Sequence, residues 1–382
     1  MKRLFVLLTM IPILACSLSG LPRAATPPAR VAVTQTIFPT STAFPNLTPD
    51  TSPLTPYITF VVNVHDWIHP DESADILLKL VDLFARYNVR GDFYFTAEIT
   101  RELAENRPEV IERFVDSDMT VSYHVRPPHP LYTGFDSHLK SLSDEELYRT
   151  LLDYETYALD LESGDLDYSQ AGGYIYVASI FGRNPVVAAA PNNDPRIKET
   201  AQRVYAQLGA QMTILYHEEG TKADRPFEYV NRLLVRPSDF SVTRTTLIDG
   251  TENFWWNFMS KPNADEYNPT ALLQRQLAEW AGHAESVTYK RAPFITSLIH
   301  ENNFYRSGAE AWSSIYFTMD KGKKDVPLPP PWDLSAPDPS RLRSEADQQA
   351  IFAAYEELVA FASANLTVVT SEDILALAHA SP

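Results

Sequence analysis

The sequence predicts an α/β fold in which six or seven parallel strands close into a barrel or near-barrel. Three observations carry that prediction. Near-continuous apolar runs of β-formers alternate with segments whose apolar residues recur at helical spacing. Residues 57–382 have the length of one α/β barrel. Three of the apolar runs also end on histidine, in Asn63-Val64-His65-Asp66-Trp67, Val121-Ser122-Tyr123-His124 and Leu298-Ile299-His300-Glu301. In parallel α/β architectures the C-terminal strand ends converge on one face, where ligands and catalytic groups gather.

The first residues read as an export signal. Lys2 and Arg3 precede an apolar core over residues 4–14 that is too short to span a bilayer. Ile13-Leu14-Ala15-Cys16 resembles a bacterial lipobox, so removal of residues 1–15 and lipidation of Cys16 at the cell surface are expected. Ordinary secretion, with cleavage near Ala15 or Ala24-Ala25, is the alternative. Cys16 is the only cysteine, which excludes an internal disulfide. Residues 16–56 are rich in Thr, Pro and Ser, nearly uncharged and aperiodic, and form a flexible tether that cannot bury a core.

Tyr57-Ile58-Thr59-Phe60-Val61-Val62-Asn63-Val64 opens the folded domain as a strand buried on both faces. Ile76, Leu77, Leu80, Val81, Phe84 and Tyr87 follow at helical spacing, and Gly91 introduces a second strand, Asp92-Phe93-Tyr94-Phe95-Thr96. Such a β-α-β unit implies parallel strands and a right-handed crossover. A helix over 108–114 leads to a third strand over 119–123. Ser143-Asp144-Glu145-Glu146 fits a capping box and opens a helix predicted to reach 161. A strand over 186–190 precedes Asp194-Pro195, an N-cap with proline at N1, and this helix stops before Gly209. A strand over 212–216 follows. Asn268-Pro269 opens a helix to about 284, and 293–299 is a late strand. The chain closes with a helix over 344–364, a strand over 366–369 and a short helix capped by Ser371. Residues 321–339, rich in Pro and Lys, read as a long surface loop.

The formal charge of −17 argues against nucleic acid, and against anionic membranes as a partner of the folded domain. It is neutral about sugars, and any membrane contact is left to the lipid on Cys16. No Gly-rich phosphate loop, G-x-S-x-G elbow or H-E-x-x-H is present.

Asp66, at the end of a buried strand, must be paired, hydrogen-bonded, metal-bound or solvated. His124 and His129 flank a loop stiffened by Pro127-Pro128, so both imidazoles can point at one ion. Glu301, Asn302 or Asn303 can orient His300 and fix its tautomer. For His65, a general base, a metal ligand and a histidine packed on Trp67 all stay open. Trp255-Trp256 with Phe254 and Phe258 form either a core cluster or a sugar platform. His138, His217, His283 and His379 lack a converging context.

These segments resemble the polysaccharide deacetylase family, the family 4 carbohydrate esterases with a NodB-homology domain. Asn63-Val64-His65-Asp66 stands where the family has T-F-D-D, and His124-Val125-Arg126-Pro127-Pro128-His129 where it has H-[ST]-x-x-H, one residue longer here. Leu298-Ile299-His300 matches its late L-x-H. The resemblance implies a distorted (β/α) barrel of about seven parallel strands. It implies a divalent metal, zinc being the expectation, held by Asp66, His124 and His129. His65 takes the place of the family's catalytic base, an aspartate, and His300 maps to the catalytic acid, with Glu301 beside it. Ala190-Pro191-Asn192-Asn193 replaces the arginine-bearing third motif, and the Asp-Trp motif has no match. The implied activity is removal of acetyl groups from an amino-sugar polysaccharide. Trp67, Asn192 and Asn193 are expected to face the sugar, and backbone amides near Pro191 the oxyanion. The alternatives are a glycoside hydrolase using Asp66 and Glu301, another C–N hydrolase, and a glycan-binding surface lipoprotein without catalysis.

Overall fold

The computed structural model describes residues 55–189, 191–214, 226–237, 240–241, 268–284, 291 and 293–380. Strand and helix alternate through β1 (Tyr57–Val64), α1 (Pro70–Arg86), β2 (Asp92–Phe95), α2 (Ala97–Asn106), α3 (Pro108–Val115) and β3 (Thr120–His124). Next come α4 (Asp144–Tyr154), β4 (Tyr157–Leu159), β5 (Leu166–Ala171), α5 (Gly173–Phe181), β6 (Val187–Ala189), α6 (Pro195–Leu208) and β7 (Met212–Thr213). The later part holds β8 (Tyr229–Val230), β9 (Leu233–Val235), β10 (Phe240–Ser241), α7 (Pro269–Ala284), β11 (Phe294–His300) and β12 (Arg306–Ser307). The chain ends with α8 (Ser313–Tyr316), β13 (Phe317–Asp320), β14 (Lys323–Pro327), β15 (Arg341–Leu342), α9 (Glu345–Asn365), β16 (Thr367–Val368) and α10 (Ser371–Ala380).

The main sheet runs β10-β11-β1-β2-β3-β6-β7-β9-β8. Every neighbouring pair is parallel except β8 with β9. Helices connect the strands, and the result is a parallel α/β half-barrel. β1 is its centre. β11 pairs with it from Tyr57↔Phe294 to Asn63↔His300. On its other edge β16 meets Tyr57 and Ile58, and β2 meets Val61 through Val64.

The apolar run of β1 has no polar alternation because both faces are covered. Ile58, Phe60, Val62 and Val64 pack with α1 side chains Leu77, Leu80 and Phe84. Val61 turns the other way, into a cluster with Tyr94, Phe294 and the α10 residues Ile374 and Leu375. Phe84 is the hinge of the first layer, with ring centroids 5.6 Å from Phe60, 5.9 Å from Phe93 and 6.4 Å from Tyr355. A Cβ at residue 91 would lie 2.5 Å from the Phe84 ring, which is why glycine precedes β2.

The caps agree with the sequence. Ser143 and Glu146 form the reciprocal capping box of α4, and Asp194 accepts from Arg196 N and Ile197 N above Pro195. Two expectations need correction. The helix from Ser143 ends at Tyr154 rather than 161, because the chain then folds into the β4–β5 hairpin. Gly172 makes this possible, since a Cβ there would fall 2.1 Å from the Tyr157 carbonyl oxygen. Residues 321–339 are not simply a loop, because β13 and β14 pair across Lys321 and Gly322. Both turn residues have positive φ, 49° and 76°, as a two-residue primed hairpin turn requires. The strand expected over 212–216 is described only as β7, with 215 and 216 outside the described residues. No helix among the described residues is long and apolar enough to cross a membrane.

Phe84→Ala should lower unfolding free energy by about 3–5 kcal/mol, read from urea denaturation with an unchanged slope. A loss under about 1 kcal/mol would show that this ring does not bind the two layers together.

Candidate functional site

The registers bring three histidines to one edge of the sheet. β11 ends on His300 opposite Asn63, His65 follows β1 immediately, and β2 separates β1 from β3, which ends on His124. All three side chains are buried. His65 Nε2 lies 3.0 Å from His300 Nδ1, and the His65 and His124 ring centroids are 5.8 Å apart. Trp312 Nε1 donates to His65 Nδ1 at 3.4 Å. An indole N–H can only donate, so His65 Nδ1 is the acceptor and its proton sits on Nε2. His300 Nδ1 then accepts, and the His300 proton sits on Nε2.

Glu301 fixes this edge from behind. Its Oε1 accepts the backbone N–H of His65 and of Asp66, each at 2.6 Å, and Ser73 Oγ at 3.4 Å. It is therefore a clamp on the end of β1 rather than a group directed at substrate. Asp66 is turned toward α1 and the segment after β11. Its oxygens face His69 Nδ1 at 3.0 and 3.2 Å, and Tyr305 donates its hydroxyl to Oδ2 at 3.0 Å. His69 reaches on to Asp338 at 3.1 Å.

His129 goes elsewhere. Its Nδ1 accepts from Leu131 N at 3.2 Å, and its Nε2 faces the buried Glu155 at 3.6 Å. Glu155 in turn accepts from Tyr205 Oη at 2.7 Å and Tyr174 N at 3.0 Å. Asp66, His124 and His129 thus do not converge. Among the buried histidines of the described residues, His124 alone keeps both ring nitrogens without a hydrogen-bond partner. The carbonyls of Tyr94 and Phe95 lie near that ring without reaching hydrogen-bond geometry. Among the described residues, no group of three or more His, Cys, Asp or Glu side chains could hold a metal ion. The donor set expected for zinc does not fit the residues as they stand.

The remaining expected positions divide. Trp67 is half-buried and packs against two apolar clusters. Asn192 is buried and donates to Leu131 O at 3.3 Å and Asp136 at 3.2 Å, while its Oδ1 accepts from Asp194 N at 2.8 Å. It pins a loop and has no group left for a sugar. Asn193 beside it is exposed. Pro191 has no N–H, and its carbonyl accepts from Thr133 N and Oγ1, so this residue offers nothing to an oxyanion. His138 and His379 are exposed. Residues 217 and 254–258, with the aromatic cluster, and Cys16 lie outside the described residues, as does the side chain of His283.

Sequence reasoning missed Arg126, Glu310, Trp312 and Lys324. Lys324 Nζ pairs with the buried Glu310 at 3.0 Å and lies 4.8 Å over the Trp312 ring. Burial alone would raise the Glu310 carboxyl, but Lys324, then His300 and Arg126, outweigh it and pull it down to about 2. The signal that could have found Lys324 and Trp312 is the primed turn at Lys321-Gly322, which returns the hairpin to the strand ends.

Burial, then Arg126, holds His65 and His124 well below the ordinary imidazole range. The same causes bring His300 down to about 3. Burial alone brings His129 to about 3. Burial and the neighbouring Asp66 push Glu301 up to about 8, and burial pushes Glu155 to about 7.

No family model matches the chain, and no curated protein matches it. Solved structures do. The peptidoglycan deacetylase PdaC of Bacillus subtilis is 12% identical, with 85% of this chain and 92% of that chain covered and a TM-score of 0.36. The PuuE allantoinase is 12% identical over 87% and 93% of the two chains, with a TM-score of 0.46. A CE4 family pseudoenzyme of Bacillus anthracis is 12% identical over 66% and 58%, with a TM-score of 0.31.

The shifted groups set a stability profile. His65, His124, His129 and His300, with His138, bind fewer protons folded than unfolded, so stability falls as pH drops below about 6.5. Glu301 and Glu155, with Asp92, Glu98 and Glu372, bind more protons folded than unfolded, so stability also falls as pH rises from about 4.5 to about 8. Melting temperature should therefore peak near about pH 6.5, and Glu301→Gln should flatten the alkaline side. A melting temperature that climbs steadily to pH 9 contradicts both assignments. His129→Gln should lower melting temperature and leave zinc uptake in equilibrium dialysis unchanged. Reduced uptake would return His129 to a ligand role.

Proposed function

We propose that the chain is a hydrolase of carbon–nitrogen bonds that removes acetyl groups from an amino-sugar polysaccharide. The supporting observation is the 3.0 Å His65–His300 pair at adjacent parallel strand ends, with the unpartnered His124 beside it. Amide hydrolysis needs a base for the attacking water, a proton for the leaving amine and a donor for the developing oxyanion. His124, kept neutral by burial, has a lone pair for the proton of water and can return that proton to the amine. His300, also neutral, presents the N–H on Nε2 to the acetyl oxygen. His65 holds that tautomer through its own N–H, and Trp312 holds His65. These roles differ from those the resemblance implies, because position 65 is a donor here rather than a carboxylate.

On this reading the Thr/Pro-rich tether and a lipid on Cys16 keep the domain at the cell surface, within reach of a polysaccharide. A second reading, a glycan-binding protein without catalysis, is favoured by one observation: the Asp66, His124 and His129 side chains do not share a point.

Incubation with an N-acetylglucosamine oligomer should release acetate without new reducing ends. His124→Gln and His300→Gln should each lower that rate at least about hundredfold while the melting temperature stays close to that of the unaltered protein. New reducing ends would make the protein a glycoside hydrolase, and binding without any product would leave the second reading. The acid limb of kcat/KM should lie well below the ordinary imidazole range, since burial lowers His124, whereas an ordinary imidazole base gives a limb near about 6.5.

A further inference from the structure

We infer that the strand-end site takes a glycan unit bearing a single carboxylate, held by the guanidinium of Arg126. The glycan rests on the hydrolase reading above, whereas the anion rests on the charges of the site itself.

Arg126 sits two residues beyond His124 and is half-buried. Its Nε is shielded from solvent and has no hydrogen-bond partner among the described residues. A shielded N–H of a permanent cation without an acceptor is costly, so a negatively charged acceptor is favoured there. Its charge acts on His65, His124, His300 and Glu310, so it lies within Coulombic reach of the histidine cluster. The other charges nearby leave it uncompensated. Lys324 and Glu310 neutralise each other at 3.0 Å. Asp66 is committed to His69 and Tyr305, on the α1 side of the β1 end.

The Arg126 charge therefore has no counter-ion among the described residues, in a chain whose formal charge is −17. That contrast matters. Long-range attraction cannot bring an anion to so acidic a molecule, so recognition must be short-range and geometric. The planar fork of arginine suits a carboxylate, with two parallel N–H···O bonds, better than it suits a hydroxyl. The same charge works against a divalent cation among the three histidines, which agrees with the scattered donor set.

The test uses the full chain and isothermal titration calorimetry with tetragalacturonate and with its methyl ester. Neither carries an acetyl group, so binding does not depend on the hydrolase reading. The acid should bind at least about tenfold more tightly than the ester. Arg126→Gln should remove the preference for the acid while leaving ester binding unchanged, and Arg126→Lys should restore part of it. Glu310→Gln should tighten acid binding by removing the opposing charge, whereas Arg149→Gln, on the exposed face of α4, should change nothing. Equal affinity for acid and ester, or an acid preference that survives Arg126→Gln, overturns the inference. Acid-selective binding without acetate release from N-acetylglucosamine oligomers supports the anion site and overturns the hydrolase reading alone.

Discussion

Parallel strands leave their last N–H groups without a ladder partner, and at the end of β1 those groups belong to His65 and Asp66. Glu301 accepts both with one oxygen at 2.6 Å each. Because Glu301 begins the turn that follows β11, this one carboxyl ties together the ends of the two central strands. The 3.0 Å contact between His65 and His300 depends on it, since each histidine adjoins one side of the clamp. Removing the acceptor would leave two buried amides unsatisfied, at about 1–3 kcal/mol each. The clamp has its own cost. It is fully buried beside Asp66, and it escapes a second buried charge by holding its proton up to about pH 8.

The same crowding explains why Asp66 does not join the histidines. A carboxylate at this depth takes whichever donors are nearest, and His69 and Tyr305 lie on the α1 side. Turning Asp66 toward His124 would break those bonds. His129 faces the Glu155 cluster instead, in which tyrosine hydroxyls and a backbone amide satisfy a carboxyl that burial raises to about 7. What remains at the strand ends is an imidazole cluster with cations around it. That is an environment for moving protons and binding anions.

Much of this architecture was legible because it follows from local rules. Apolar runs without alternation marked the strands covered on both faces, and Ser143, Asp194 and Asn268 announced their helices through hydrogen bonds that the structure contains. The arrival of His65, His124 and His300 at one edge followed from topology alone. Side-chain direction did not. A strand-end position fixes a Cα, but whether Asp66 faces inward or toward α1 depends on Tyr305 and Asp338, far along the chain. Arg126 was hidden as a spacer inside a histidine motif. Glu310, Trp312 and Lys324 were hidden by the proline-rich composition around a hairpin whose only local sign is Lys321-Gly322.

The residue at position 65 decides more than its own role. A carboxylate there could only accept, so it would draw a proton onto His300 Nδ1 and leave the lone pair on Nε2. Histidine reverses this arrangement. Trp312 occupies its Nδ1, its Nε2–H is given to His300, and the His300 proton moves to the far nitrogen. The first arrangement gives His300 an outward base, and the second gives it an outward donor. A single exchange of acceptor for donor thus inverts the polarity of the neighbouring imidazole without moving it, and the nearby His124 is then the group left to act as base.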